Sequence, residues 1–183
     1  MFVLETARLR LRNWRHRDRE PFAELNADPG VMEFFPKRLS REESDAMVDR
    51  IEEHFRSKGF GLYAAELRGD GRFVGYIGLH TPAFEAHFSP CVEIGWRLAS
   101  DVWGQGLATE GAQAVVRHAF ENLGLNEIVS FTVPANQRSI RVMEKIGMTR
   151  DATGAFDHPS LPEAHPLRRH VLYRLRNTGK AER

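Results

Sequence analysis

A mixed α/β fold, one sheet flanked by helices, is what this chain predicts, and three observations predict it. Two strand-length runs, residues 60–67 and 73–79, are joined by a glycine-bearing turn and read as a hairpin. Later strand runs alternate with helical ones, which a sandwich or a bundle would not do. One helical run carries a strong apolar stripe that needs a sheet to cover it. At 183 residues the chain suits one domain, 1–183, with a sizeable core. With 42% hydrophobic and 28% charged residues it is too apolar for a disordered chain.

Taken in order, residues 6–12 alternate apolar and charged side chains, the period of a half-buried strand. Leu9 and Leu11 share one face; Arg8, Arg10 and Arg12 share the other, which reads as solvated. Asp18 opens a short helix through Phe22 and Leu25, ended by Asp28-Pro29-Gly30. Ser40 and Glu43 form a capping box, and Met47, Ile51 and Phe55 follow at helical spacing to Lys58-Gly59. The hairpin turns on Arg68-Gly69-Asp70-Gly71, and after a loop residues 91–98 form the next strand. From Leu107, apolar residues at Ala108, Ala112, Val115, Val116, Ala119, Phe120 and Leu123 recur every three or four positions, with Gly124 at the C-cap. Residues 128–133 are a β-branched strand stopped by Pro134. A helix beginning at Asn136 or Ser139 closes at Gly147, and final strands at Thr149 onward and 169–176 enclose a segment with prolines and histidines.

The net charge is +1 and the basic residues are dispersed, so no nucleic-acid partner is expected. Cys91 is the single cysteine, which excludes an internal disulfide and suits a reducing cytoplasm. Neither a signal-type N-terminus nor a run near the ~20 apolar residues of a membrane helix is visible, so no membrane association is expected. His158, His165 and His170 match no metal-ligand spacing and read instead as shaping a substrate-side loop, so no metal is expected. Phe34-Phe35-Pro36 reads as core or as a lid over a pocket.

Trp103-Gly104-Gln105-Gly106-Leu107-Ala108-Thr109 lies between a strand and a helix. Two glycines there bring bare backbone to a helix end whose first N–H groups have no partner, the setting for a diphosphate. The same glycines would also serve turn geometry alone. The segment lacks the Lys-Ser/Thr of a P-loop and the three-glycine dinucleotide spacing.

Glu93-Ile94-Gly95-Trp96-Arg97-Leu98, the 103–109 segment with Glu110, and Asn136 through Ser139 with Glu144, Lys145 and Gly147 together resemble the acetyl-CoA-binding core of the GNAT acetyltransferases. Residues 4–12 resemble the first strand of the branch holding the Rim-type ribosomal-protein N-terminal acetyltransferases, and the likeness spans residues 4–150. It implies the acyl-CoA N-acyltransferase fold: a mostly antiparallel sheet of six to seven strands, about four helices, and a splay between the fourth and fifth strands. It also implies acetyl-CoA as co-substrate and a primary amine as acceptor, either a protein N-terminus or a small molecule such as an amino acid, polyamine or drug. A domain that only holds CoA is the contrary reading. Dimers are common in the family, though no residue here marks one.

By the same resemblance, Ile94, Trp96 and Leu98 lie on the splayed strand that meets the pantetheine arm, and 103–109 holds the diphosphate. Trp103 stands where the wider family often has Arg or Gln. Glu93 is the candidate general base, or else an outward-facing strand residue. Asn136 would orient the cofactor or substrate. Many members place a Tyr acid where this chain has Met143, leaving Ser139 to donate to the departing thiolate, or else to cap the helix.

Overall fold

The computed structural model describes residues 3–179. The strands are β1 (Val3–Glu5), β2 (Leu9–Arg12), β3 (Leu62–Leu67), β4 (Phe73–His80), β5 (Glu93–Leu98), β6 (Glu127–Thr132), β7 (Thr149–Arg150), β8 (Phe156–Asp157) and β9 (Arg169–Arg176). The helices are α1 (Arg19–Ala27), α2 (Arg41–Lys58), α3 (Leu107–Arg117) and α4 (Gln137–Lys145). Strand order is β1-β2-β3-β4-β5-β6-β9-β7, with β8 pairing β9, and every pairing is antiparallel except β5 with β6. The mostly antiparallel sheet and its four helices match expectation. Among the described residues no helix is long and apolar enough to cross a membrane.

The strand expected over 6–12 is broken. The Thr6 hydroxyl accepts the Leu9 N–H at 2.8 Å and donates to Glu110 at 2.6 Å, while Glu110 accepts the Arg8 N–H. These local bonds replace ladder bonds and fold the segment into the β1–β2 hairpin. The long third helix also differs at its end: residues 118–122 widen into a π turn in which the Leu123 N–H reaches the His118 carbonyl. The Ser40–Glu43 capping box is present in both directions.

Two apolar layers cover the sheet. Leu9, Leu11, Ile77, Leu79 and Ile94 pack against α3 and α4, and a Cβ on Gly111 would come within 2.3 Å of Ile77, so α3 sits hard on the strands. Phe22 and Leu25 of α1, with Val48 and Ile51 of α2, pack on the opposite face against Leu62, Ala64 and Tyr76. Alternation sends Glu93, Gly95 and Arg97 toward this second layer, and Ile94, Trp96 and Leu98 toward the first.

Arg8 and Arg10 on the arginine face are half exposed, as expected, but Arg12 is not solvated, because α1 and the turn before it close over that end. Arg12 is 1% exposed and reaches Asp18 at 2.6 Å and Glu66 at 2.8 Å. Burial pushes the Glu66 carboxyl up, but the bonds and charges of Arg12, Arg15 and Arg10 outweigh it and hold it below the ordinary carboxylate range. Such a group stabilises the fold above its unfolded pKa, ~4.3, and that contribution disappears as pH falls through its folded value. We predict that Arg12→Ala, which strands the buried Asp18 carboxylate and removes the nearest cation of Glu66, costs about 3–5 kcal/mol in urea unfolding at pH 7. Glu66→Gln should flatten the acid limb of the stability curve, and an unchanged limb would assign acid sensitivity to other carboxylates.

Candidate active site

β5 and β6 touch at one rung. Glu93 pairs with Val129, the Val129 N–H reaches the Val92 carbonyl at 2.9 Å, and beyond that the strands diverge. These are the fourth and fifth strands read from the sequence. In the antiparallel ladder with β4, alternate residues of β5 turn their backbone groups away from β4. Val92 is one of these, and so are Ile94, Trp96 and Leu98; the rung of Glu93 on Val129 takes up the Val92 C=O and the Ile94 N–H, Ile94 itself is fully buried off the cavity wall, and beyond it the Trp96 groups and the Leu98 N–H look into the gap. The Leu98 carbonyl takes the Trp103 indole N–H at 2.9 Å. The gap opens a cavity of about 940 Å³ that runs from the 103–109 loop to the β8–β9 region.

At one end the loop after β5 delivers backbone. Gly104 and Gly106 have φ +75° and +79°, which side chains with a Cβ rarely adopt. Gly106 is the N-cap of α3, and no side chain caps that end. Leu107, Ala108 and Thr109 therefore present unclaimed N–H groups where the helix dipole is positive. Arg8 crosses from the β1–β2 turn to the Gln105 carbonyl at 2.9 Å and pairs with Glu110, fixing the loop from outside. The Arg138 guanidinium lies 4.3 Å over the Trp103 ring.

Glu93 lines the cavity. It is 8% exposed, not outward-facing, and burial holds its carboxyl well above the ordinary carboxylate range. Its Oε2 lies 3.2 Å from His80 Nε2, the residue directly across the β4–β5 ladder. Burial first, and the neighbouring His54 second, push the His80 imidazole down to about 4, so it is neutral at neutral pH. His54 is itself fixed, Nδ1 on the Phe60 carbonyl and Nε2 accepting the Thr81 N–H. The result is a carboxyl in a dry site beside a neutral imidazole, holding a proton more readily than an ordinary carboxylate.

α4 follows β6 and closes the other side of the gap. Asn136 caps it: Oδ1 accepts the Ser139 N–H at 3.2 Å and Nδ2 donates to Thr132 Oγ1 at 3.0 Å. That settles the choice of helix start and commits the Asn136 amide. Ser139 is not the cap, and its hydroxyl, at the cavity wall, makes no hydrogen bond among the described residues. Met143 is fully buried in the core.

The structure thus gathers Glu93, Asn136, Ser139, the β5 edge at Trp96 and Leu98 and the glycine loop on one cavity, whereas Ile94 lies in the core and the Gln105 amide turns to the Asp101 carbonyl. His80, His54 and Arg97 were not foreseen. The only signal for His80 was the hairpin register, which sets it opposite Glu93 once the strands are paired. The far wall is aromatic: Phe84 and His158 rings lie 4.5 Å apart, and His158 and His170 5.2 Å apart, with Phe131 between Phe84 and His170. The histidine-containing segment accordingly lines the cavity, while His165 turns back on its own loop. Among the described residues no three side chains are grouped to hold a metal.

A family model described as an acetyltransferase (GNAT) domain matches residues 8–149. FsC-acetyl coenzyme A-N(2)-transacetylase of Aspergillus fumigatus is 35% identical over 166 residues, covering 86% of this chain and 70% of its own. Uncharacterized protein YkkB of Bacillus subtilis is 32% identical over 146 residues, 79% of this chain and 84% of its own. The crystal structure of a GNAT-family acetyltransferase from Bacillus anthracis matches with TM-score 0.78 at 28% identity, covering 96% of this chain and 98% of that one.

A carboxyl raised by burial costs the fold stability once pH exceeds its unfolded value of ~4.3, because the unfolded chain releases its proton first. The loss grows until pH passes the folded value and is constant above it. Glu93→Gln is therefore predicted to raise the thermal midpoint at pH 8 and leave it nearly unchanged at pH 4, by scanning calorimetry. A variant less stable than the parent at pH 8 would contradict the burial account.

Proposed function

The chain belongs to the GNAT acetyltransferase family, and on that footing we propose that it transfers the acetyl group of acetyl-CoA to a primary amine by direct attack in a ternary complex. The observation that carries this reading is Glu93, a buried carboxyl beside neutral His80 on the cavity that begins at the glycine loop. The name of the Aspergillus relative, which contains acetyl coenzyme A, supports the donor.

Each residue then has a task set by its chemistry. The free N–H groups of 107–109 receive the diphosphate of the donor, and the unpaired edge at Trp96 and Leu98 receives its pantetheine arm as an added strand would. A neutral amine attacks the thioester carbon, forming the C–N bond and placing negative charge on the carbonyl oxygen. Backbone N–H groups of the same edge are suited to that oxyanion. The amine proton passes to the Glu93 carboxylate, directly or through a water. Collapse breaks the C–S bond, and the Ser139 hydroxyl donates a hydrogen bond to the departing thiolate. Asn136 contributes by holding the first turn of α4, and with it Ser139, at the gap.

An α-amino group, with pKa ~7.7–8.0, is neutral far more often at pH 7 than a lysine near ~10.4, so a base of modest strength suffices for a peptide N-terminus. That favours an α-amine, on a peptide or a small molecule, over a lysine side chain.

The test is free-thiol release from acetyl-CoA against a panel of peptide N-termini and small amines, beside a no-acceptor control. Release that requires an amine supports the reading, and binding of acetyl-CoA with no release for any amine contradicts it. Ser139→Ala is predicted to lower turnover about tenfold, ~1.4 kcal/mol in the barrier, with little change in acetyl-CoA affinity. Unchanged turnover at saturating substrates removes Ser139 from the reaction.

A further inference from the structure

β5 carries a second buried charge on the same face as Glu93. Arg97 is 6% exposed and lines the cavity. Its Nη1 donates to Asn26 Oδ1 and comes within 3.9 Å of the Met47 sulfur; its guanidinium lies 3.9 Å over the Phe35 ring and 5.5 Å from that of Tyr76. These neighbours are neutral. Arg12, the other deeply buried arginine, is met by two carboxylates, whereas among the described residues Arg97 is met by none. Its Nε, also buried, has no hydrogen-bond partner. A buried cation left without a counter-charge is costly, and one at a cavity wall is stabilised by an anion that enters.

The surroundings hold the guanidinium in place rather than neutralise it. Asn26 is fully buried, and its Nδ2 is occupied by Ser44 Oγ at 2.9 Å, which turns Oδ1 toward Arg97. Among the described side chains lining the cavity Glu93 is the single carboxylate, whereas Arg50, Arg97, Arg138, Arg141 and Lys145 are cations. Arg138, Arg141 and Lys145 belong to α4, on the side of the glycine loop. Arg97 stands on the other face of the sheet, with Glu93.

We infer that Arg97 receives a carboxylate of the acceptor, so that the acceptor is an amine carrying its own acid group. This rests on the proposed acetyl transfer at Glu93. With ~3.3 Å of rise per strand residue, Arg97 lies about 13 Å along β5 from Glu93, on the same face. The two side chains and a proton-relaying water take up part of that span, and an acceptor with its amine and carboxylate several bonds apart fits the remainder. A guanidinium offers two parallel N–H donors to such a group. A polyamine would bring positive charge to a cavity already rich in it.

Two measurements test this. In the first, kcat/KM is compared for 5-aminopentanoate against its amide, and for a peptide beginning with Glu against one beginning with Gln. Whichever pair is turned over, the acid is expected to lead by 10- to 100-fold, and the pair that shows the preference separates a free amino acid from a peptide. In Arg97→Met the preference should collapse through loss of the acid alone, with Arg97→Lys intermediate and the amides unchanged. In the second, which needs no turnover, glutarate is expected to raise the thermal midpoint of the parent while glutaramide does not. Arg97→Met should lose that response without becoming less stable, since an unpaired buried charge has gone. Should that variant fail to fold, Arg97→Lys and the parent's acid-to-amide ratio carry the test. Equal rates for acid and amide, spermidine as the better acceptor, or a glutarate response that survives in Arg97→Met each overturn the inference. A glutarate response in a protein that acetylates no amine would uphold the anion site and sink the proposed transfer.

Discussion

The parting of β5 from β6 after a single rung is the constraint on which the rest of the structure depends. Adjacent parallel strands ordinarily continue their ladder, because each unpaired N–H or C=O left in a dry place costs free energy. Here the ladder is given up within one residue, and the backbone edge at Trp96 and Leu98 lines a cavity instead of a seam. Both chain segments that leave these strands run to its edges. β5 feeds the glycine loop and α3; β6 feeds Asn136 and α4. One topological choice thereby places a helix end with free N–H groups, a hydroxyl and a bare strand edge around the same space.

Charge is handled in two opposite ways on the two halves of the sheet. At β2 and β3, Arg12, Asp18 and Glu66 are buried with their partners in hand, a network that specifies how α1 sits on the sheet. At β5, Glu93 and Arg97 are buried without matching charges, and each faces the cavity. Such groups cost stability and are tolerated where something other than the fold makes use of them. The neutral His80 fits the same pattern, since its Nδ1 is buried without a partner while Nε2 meets Glu93.

Features carried by short sequence spans were legible before the structure: the Ser40–Glu43 capping box, the hairpin over Arg68–Gly71, the apolar stripe of α3 and the glycine loop, whose residues adopt the positive φ their type allows. The mixed sheet followed from their order. What escaped depended on partners far along the chain. Arg12 looked solvated because Asp18 and Glu66 approach it only after α1 and β3 are in place. The 6–12 run looked like one strand because Glu110, more than a hundred residues away, holds its break. His80 and Arg97 carried no local mark, one needing the register of β4 on β5 and the other the packing of α1 and α2. Glu93 was legible as a candidate, and its burial was not.

The central claim is that Glu93 takes the proton of the attacking amine, and the pH dependence of kcat/KM for the parent and Glu93→Gln tests it most directly. His80 and His54 face the same space and are present in both proteins, so a limb that differs belongs to Glu93. The parent is predicted to lose activity as pH falls through the raised folded value of Glu93, and Glu93→Gln to lack that limb, with its largest deficit where amines are mostly protonated and a shrinking one toward high pH. A deficit of the same size at every pH would contradict the account and leave Glu93 a structural residue.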